Sequence, residues 1–135
     1  MNHTVLQPKG WPRPKGYSNG IAATGRQVYI AGQIGWDSLC QFHTDTFSEQ
    51  VRQALSNIVA VLADAGGLPE HIVRLTWFIT SRREYLDQIV QVGAAYREVL
   101  GRNFPAMSVV EVTALMEPRA KVEIEATAVL PVAVG

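Results

Sequence analysis

Between Thr46 and Gly67, Val51, Ala54, Leu55, Ile58, Leu62 and Ala65 recur at helical spacing, and this stretch limits the possible folds more than any other. A helix with one apolar stripe needs a second layer on which to bury it. Thr46-Phe47-Ser48-Glu49 has the form of a capping box, a hydroxyl at the cap and a carboxylate three residues on. Gly66-Gly67 supplies the stop.

The neighbouring segments supply the second layer. Gln27 to Ile34 alternates as a strand ending near Gly35, and Ile72 to Thr80 is a strand rich in β-branched and aromatic residues. A second helix follows, with Leu86, Ile89, Gly93, Tyr96 and Leu100 as its apolar stripe and Gly101 as its C-cap. Two further strands are expected, around Ser108 to Val112 and from Lys121 to Leu130. Residues 7–20, with three prolines and three glycines, form an ordered loop or arm. The order predicts an α+β fold in one domain, 1–135, with two helices on one face of a mixed sheet.

The last strand indicates what the other sheet face carries. Val122, Ile124, Ala126 and Ala128 point one way, while Glu123, Glu125, Thr127 and Val129 point the other. The middle strand repeats this, with Val73, Leu75, Trp77 and Ile79 opposed to Arg74, Thr76, Phe78 and Thr80. The second face is neither core nor a clean solvent surface. With 47% apolar and only 18% charged residues, the chain is expected to cover that face by self-association.

Several function classes are disfavoured. The formal net charge is zero and no basic stripe appears, so nucleic acid is not an expected partner. The single cysteine, Cys40, permits no intrachain disulfide and reads as a small buried or half-buried thiol. No secretory signal is visible, and the longest apolar run, Ile58 to Ala63, is far below the roughly 20 residues of a membrane span. A cytoplasmic protein without a membrane partner is expected. His3, His43 and His71 stand apart from any metal-ligand spacing, and no phosphate-binding loop or nucleophile elbow is present. No metal is expected.

Lys15-Gly16-Tyr17-Ser18-Asn19-Gly20, Val28 to Ile34, the helix beginning Gln50-Val51-Arg52-Gln53-Ala54, Phe104-Pro105-Ala106, and Lys121 to Val129 occur in an order that resembles the RidA/YjgF family of reactive-intermediate deaminases. The resemblance covers nearly the whole chain. It implies a chorismate-mutase-like fold assembled as a homotrimer around a central barrel, with ligand clefts between subunits. It also implies hydrolysis of imines or enamines to a 2-keto acid and ammonia, without a cofactor.

Carried over by position, Tyr17 matches the pocket tyrosine, Gly32 the glycine whose backbone lines the pocket, and Glu123 the glutamate that orients water or moves protons. Four positions depart. Met107 stands where the family has the carboxylate-binding arginine, Val109 replaces a cysteine, Ala31 a serine and Gly93 an asparagine. Trp36, near Gly32, is an aromatic candidate for the same pocket, while Trp77 reads as core. Lys9, Arg13 and Lys15 are candidates to replace the missing positive charge.

Each assignment has a structural alternative. Glu123 could be solvated or paired with Lys121, Glu125 is the more structural of the two acids, Tyr17 could lie over the sheet edge, and Met107 could be core or simple pocket lining. Two functions follow. One is a hydrolase acting on C=N bonds, with Glu123 and Tyr17 catalytic and Gly32, Met107, Ala31, Val109, Gly93 and Trp36 binding a small molecule such as a carboxylate. The alternative is a non-catalytic trimer that binds a small molecule or partner protein in the same clefts. Neutral charge and the lack of an acid–base histidine pair disfavour a ribonuclease.

Overall fold

The structure is a computed structural model describing residues 3–132; Met1, Asn2 and residues 133–135 of the expected 1–135 domain lie outside the described residues. Strands β1 (His3–Leu6) and β2 (Gly20–Ala23) form an antiparallel pair. They are followed by β3 (Arg26–Ile34), helix α1 (Phe47–Asp64), a 3-10 turn (Pro69–His71) and β4 (Ile72–Ile79). The chain continues through α2 (Arg82–Asp87), α3 (Ile89–Leu100), β5 (Ala106–Glu111) and β6 (Val122–Leu130). The main sheet has the order β3-β6-β4-β5, with β6 antiparallel to both neighbours and β4 parallel to β5.

This mixed sheet with helices on one face is the chorismate-mutase-like α+β fold. The alternation along β6 produces it. Val122, Ile124, Ala126 and Ala128 are buried under α1, whose Val51, Ala54, Leu55, Ile58 and Leu62 are fully buried. Each such Val, Leu or Ile side chain contributes about 1.5–3 kcal/mol on burial. Leu75, Trp77 and Ile79 join them from β4, while Arg74 and Glu125 stay exposed on the opposite face. Among the described residues, no helix is long and apolar enough to cross a membrane.

Four expectations need correction. Thr46 does cap α1, but its side chain makes no capping bond, and Glu49 instead pairs with Arg52 one turn on. The second helix is two helices, α2 capped by Ser81, whose hydroxyl accepts from Glu84 N, and α3, the two meeting at Gln88. Because of that break Leu86 and Ile89 are exposed, and the buried stripe of α3 is Val92, Ala95, Tyr96 and Leu100. Gly101, at φ 68°, ends α3 as expected. The β1–β2 pair was not foreseen, since the proline-rich arm separates its strands where a hairpin signal would need a short turn. Cys40 is exposed, because it sits at positive φ in a turn closed by Cys40 N donating to Asp37 O.

Candidate functional site

The arm that carries Tyr17 is fastened to the start of β5. Ser18 is buried, its amide donates to Pro105 O at 3.0 Å, and its hydroxyl donates to Phe104 O. That clamp sets Tyr17, 41% exposed, at the edge of a cavity of about 520 Å³ between α2, α3 and the β4–β5 edge of the sheet. Met107 and Val109 reach the same cavity because β5 pairs in register with β4, Met107 opposite Leu75 and Val109 opposite Trp77, which sets both on the helix side. From α3 come Ile89, Gly93 and Arg97, spaced four residues apart and so on one helix face.

Aromatic rings form most of the wall. Trp77 stacks on Tyr96 at 6.5 Å, Tyr96 on Phe104 at 5.9 Å, and Tyr85 meets Trp77 edge-on at 6.4 Å. The Tyr96 hydroxyl donates to Asn103 O, and burial raises its pKa well above the usual phenol range. Tyr96 is therefore a neutral hydrogen-bond donor at physiological pH. The indole Nε1 of Trp77 is buried without a hydrogen-bond partner among the described residues. Polar groups at the mouth are few, chiefly Lys15, Tyr17 and Arg97.

A second group lies elsewhere on the sheet. The β3–β6 register shifts between Ile30 and Gln33, so Ala31 and Gly32 occupy a bulge beside β6. A Cβ placed on Gly32 would fall 2.6 Å from Glu123 Oε2, so the carboxylate lies directly against bare backbone. Lys121, the alternative partner for Glu123, is taken by Glu84, whose carboxylate accepts from Nζ at 2.9 and 3.2 Å. Among the described residues Glu123, half-buried, has no side-chain hydrogen bond or ion pair within the chain.

The residues named from the sequence thus fall into two sets. Tyr17, Gly93, Met107 and Val109 share the cavity, whereas neither Gly32 nor Glu123 lines it. Trp36 packs on Phe42 at 5.9 Å and does not line the cavity. Of the three bases considered as substitutes for the arginine, Lys15 lines the cavity and Lys9 and Arg13 do not. Sequence reasoning missed Arg97, Tyr85 and Phe104 as cavity residues. The i, i+4 row Ile89-Gly93-Arg97 was the signal that could have found the first of them.

The family model described as Endoribonuclease L-PSP matches residues 12–130. The chain is 33% identical over 139 residues to a RutC family protein of Synechocystis, covering 97% of this chain and 99% of the relative. It is 32% identical over 105 residues to the human 2-iminobutanoate/2-iminopropanoate deaminase, covering 77% of this chain and 73% of the relative. A Yersinia pestis crystal structure, a protein of unknown function of the conserved Rid family, superposes with a TM-score of 0.81 at 33% identity, covering 96% of this chain and all of the other.

Proposed function

This chain belongs to the RidA/YjgF family, whose model carries the Endoribonuclease L-PSP description, and from that premise we propose that it hydrolyses reactive imines or enamines in clefts shared between subunits. The observation that carries the reading is the unpaired Glu123 carboxylate held against Gly32. An imine is hydrolysed when a water adds to its carbon and protons pass between that water and the departing nitrogen. A carboxylate free of lysine partners, beside backbone that no side chain covers, suits that role.

The division of the site into two sets supports assembly. Tyr17, Met107 and the cavity open at the β5 edge of the sheet, and Glu123 with Gly32 lies on the β3–β6 side. A homotrimer that brings the β3–β6 side of one subunit to the β5 edge of the next completes the cleft. The exposed apolar groups Tyr29 and Val110 favour such covering. The human, bovine and mite relatives, each named a 2-iminobutanoate/2-iminopropanoate deaminase, point to the same reaction class. The proposed place of action is the cytoplasm.

Binding without turnover is the second reading, favoured by one observation: Met107 leaves that position without a charge for a substrate carboxylate. RNA cleavage has less support, since a neutral chain lacks the positive footprint of a phosphate-backbone binder. The test follows keto-acid formation from freshly generated 2-aminoacrylate and 2-iminobutanoate, alongside Glu123→Ala and Met107→Arg. Acceleration that drops about 100-fold or more in Glu123→Ala supports hydrolysis. Activity in Met107→Arg alone, or unchanged rates in Glu123→Ala, would defeat it.

A further inference from the structure

The Arg97 guanidinium lies over Gly93, on the wall of the cavity that Met107 leaves uncharged. A Cβ at position 93 would be 3.3 Å from Arg97 Nη1, so a side chain there would push the guanidinium aside by a few tenths of an ångström, and the bare position lets it lie against α3. Arg97 has no ion-pair partner among the described residues. The residues three and four positions away on its helix are Gly93, Ala94, Leu100 and Gly101, none of them acidic. The neighbouring acid, Glu98, is paired with Arg52. Lys15 adds a second positive charge from the arm.

Behind these two cations the cavity is apolar and flat-walled. Phe104, stacked by one face on Tyr96, is 37% exposed and Tyr17 is 41% exposed, so both leave ring surface open; Tyr85 lines the cavity beside them, and Met107 offers a polarisable thioether. Before a neighbouring subunit covers it the cavity measures about 520 Å³, room for a ring as well as a carboxylate. Planar rings stack on such walls, whereas a short aliphatic body leaves them in contact with water.

We propose that this cavity takes a carboxylate bearing an aromatic or similarly flat apolar body, and that Arg97, in place of a residue at position 107, is its anion partner. The inference rests on reading this cleft as the ligand site, and it names the ligand class. Gly93 and Met107 are then linked departures. The first makes room for a guanidinium from α3, and the second leaves space and polarisable surface for the ring.

The experiment is calorimetric titration of the protein in its native assembly with phenylpyruvate, pyruvate, phenyl phosphate and benzyl alcohol. Phenylpyruvate, the keto-acid counterpart of an aromatic imino acid, is expected to bind about 10-fold or more tightly than pyruvate. Arg97→Gln is expected to weaken phenylpyruvate roughly 10-fold and leave benzyl alcohol unchanged, because a charge-assisted bond is lost from an exposed side chain. Arg97→Lys, which keeps the charge without the fork, should fall between wild type and Arg97→Gln, and it serves if Arg97→Gln folds poorly. Equal binding of pyruvate and phenylpyruvate, full affinity in both arginine variants, or tighter binding of phenyl phosphate overturns the proposal. Arg97-dependent binding without imine turnover would sink the hydrolase reading and leave this inference standing. Turnover of short imines that ignores Arg97 would do the reverse.

Discussion

Glu123 occupies with its carboxylate the space that a side chain at position 32 would need. A Cβ on Gly32 would lie 2.6 Å from Oε2 and 2.7 Å from both the carboxyl carbon and Cγ. Gly32 is not at positive φ, so its requirement is close approach and not backbone freedom. The atoms in the way run from Cγ to Oε2 of a side chain that has no hydrogen bond or ion pair of its own among the described residues, so Glu123 can turn to another rotamer at small cost to the fold. Gly32→Ala is therefore expected to change stability by less than about 1 kcal/mol while lowering imine hydrolysis at least 10-fold, toward the level of Glu123→Ala. Thermal melting beside keto-acid assays reads both quantities. Full activity in Gly32→Ala would separate Glu123's position from its function.

Gln50 should behave in the opposite way, costing the fold first. It is completely buried in α1 and fully bonded. Its Nε2 donates to Thr44 O at 3.1 Å and to Arg119 O at 3.0 Å, and its Oε1 accepts from Lys121 N at 2.9 Å. Those bonds tie the start of α1 to the segment that leads into β6, and so set where Glu123 emerges. Gln50→Leu leaves these backbone groups unsatisfied in a dry site and is expected to cost about 2–4 kcal/mol, read from the midpoint of urea unfolding. A loss below about 1 kcal/mol would mean that water or a shifted loop satisfies them.

What the sequence conveyed and what it concealed differ for physical reasons. Periodicity is a local property, so α1, β3, β4 and β6 could be placed within a residue or two from the spacing of Val51 to Leu62 and of Val122 to Ala128. The break at Gln88 could not, because the helical pattern runs through it and only tertiary placement turns Ile89 outward to the cavity. The β1–β2 pair depends on contacts between residues as distant as His3 and Ala23, which no local window registers. At the candidate site, Tyr17, Met107, Val109 and Gly93 were named together and do share a cavity. Lys121 sits two residues from Glu123 in the chain and on the same strand face by alternation, yet its ammonium reaches Glu84 across the fold. Proximity in sequence suggested the wrong partner there. Arg97 stands four residues after Gly93 and eight after Ile89, a row on one helix face whose meaning depends on that face meeting the cavity, which sequence spacing does not convey.

Trp77 offers a test of how much its ring, as opposed to its nitrogen, contributes. Nε1 is buried without a partner among the described residues, so Trp77→Phe is expected to remove no hydrogen bond and to relieve an unmet donor. The cost should come only from lost volume between Tyr85 and Tyr96. We expect Trp77→Phe to cost less than about 2 kcal/mol and Trp77→Ala about 3–5 kcal/mol, measured by chemical unfolding. A Trp77→Phe cost equal to that of Trp77→Ala would show that the indole nitrogen is bonded in solution.

The buried tyrosines set how the fold responds to alkali. Burial raises the pKa of Tyr96, and of Tyr85, above the ordinary value of 10.0, so the native state keeps phenolic protons that the unfolded chain releases. Above about pH 10 the unfolded state then binds fewer protons than the native state, and stability falls as pH rises. The contribution is fully present below the unfolded tyrosine pKa and is lost above it, by up to about 1.4 kcal/mol per pH unit for each such tyrosine. Tyr96→Phe should lose about 1 kcal/mol at neutral pH, through the missing bond to Asn103 O, and show a shallower decline between pH 10 and 11.5. Urea unfolding of both proteins across that range decides the matter. Parallel declines would mean that Tyr96 ionises in the folded protein as readily as in the unfolded chain.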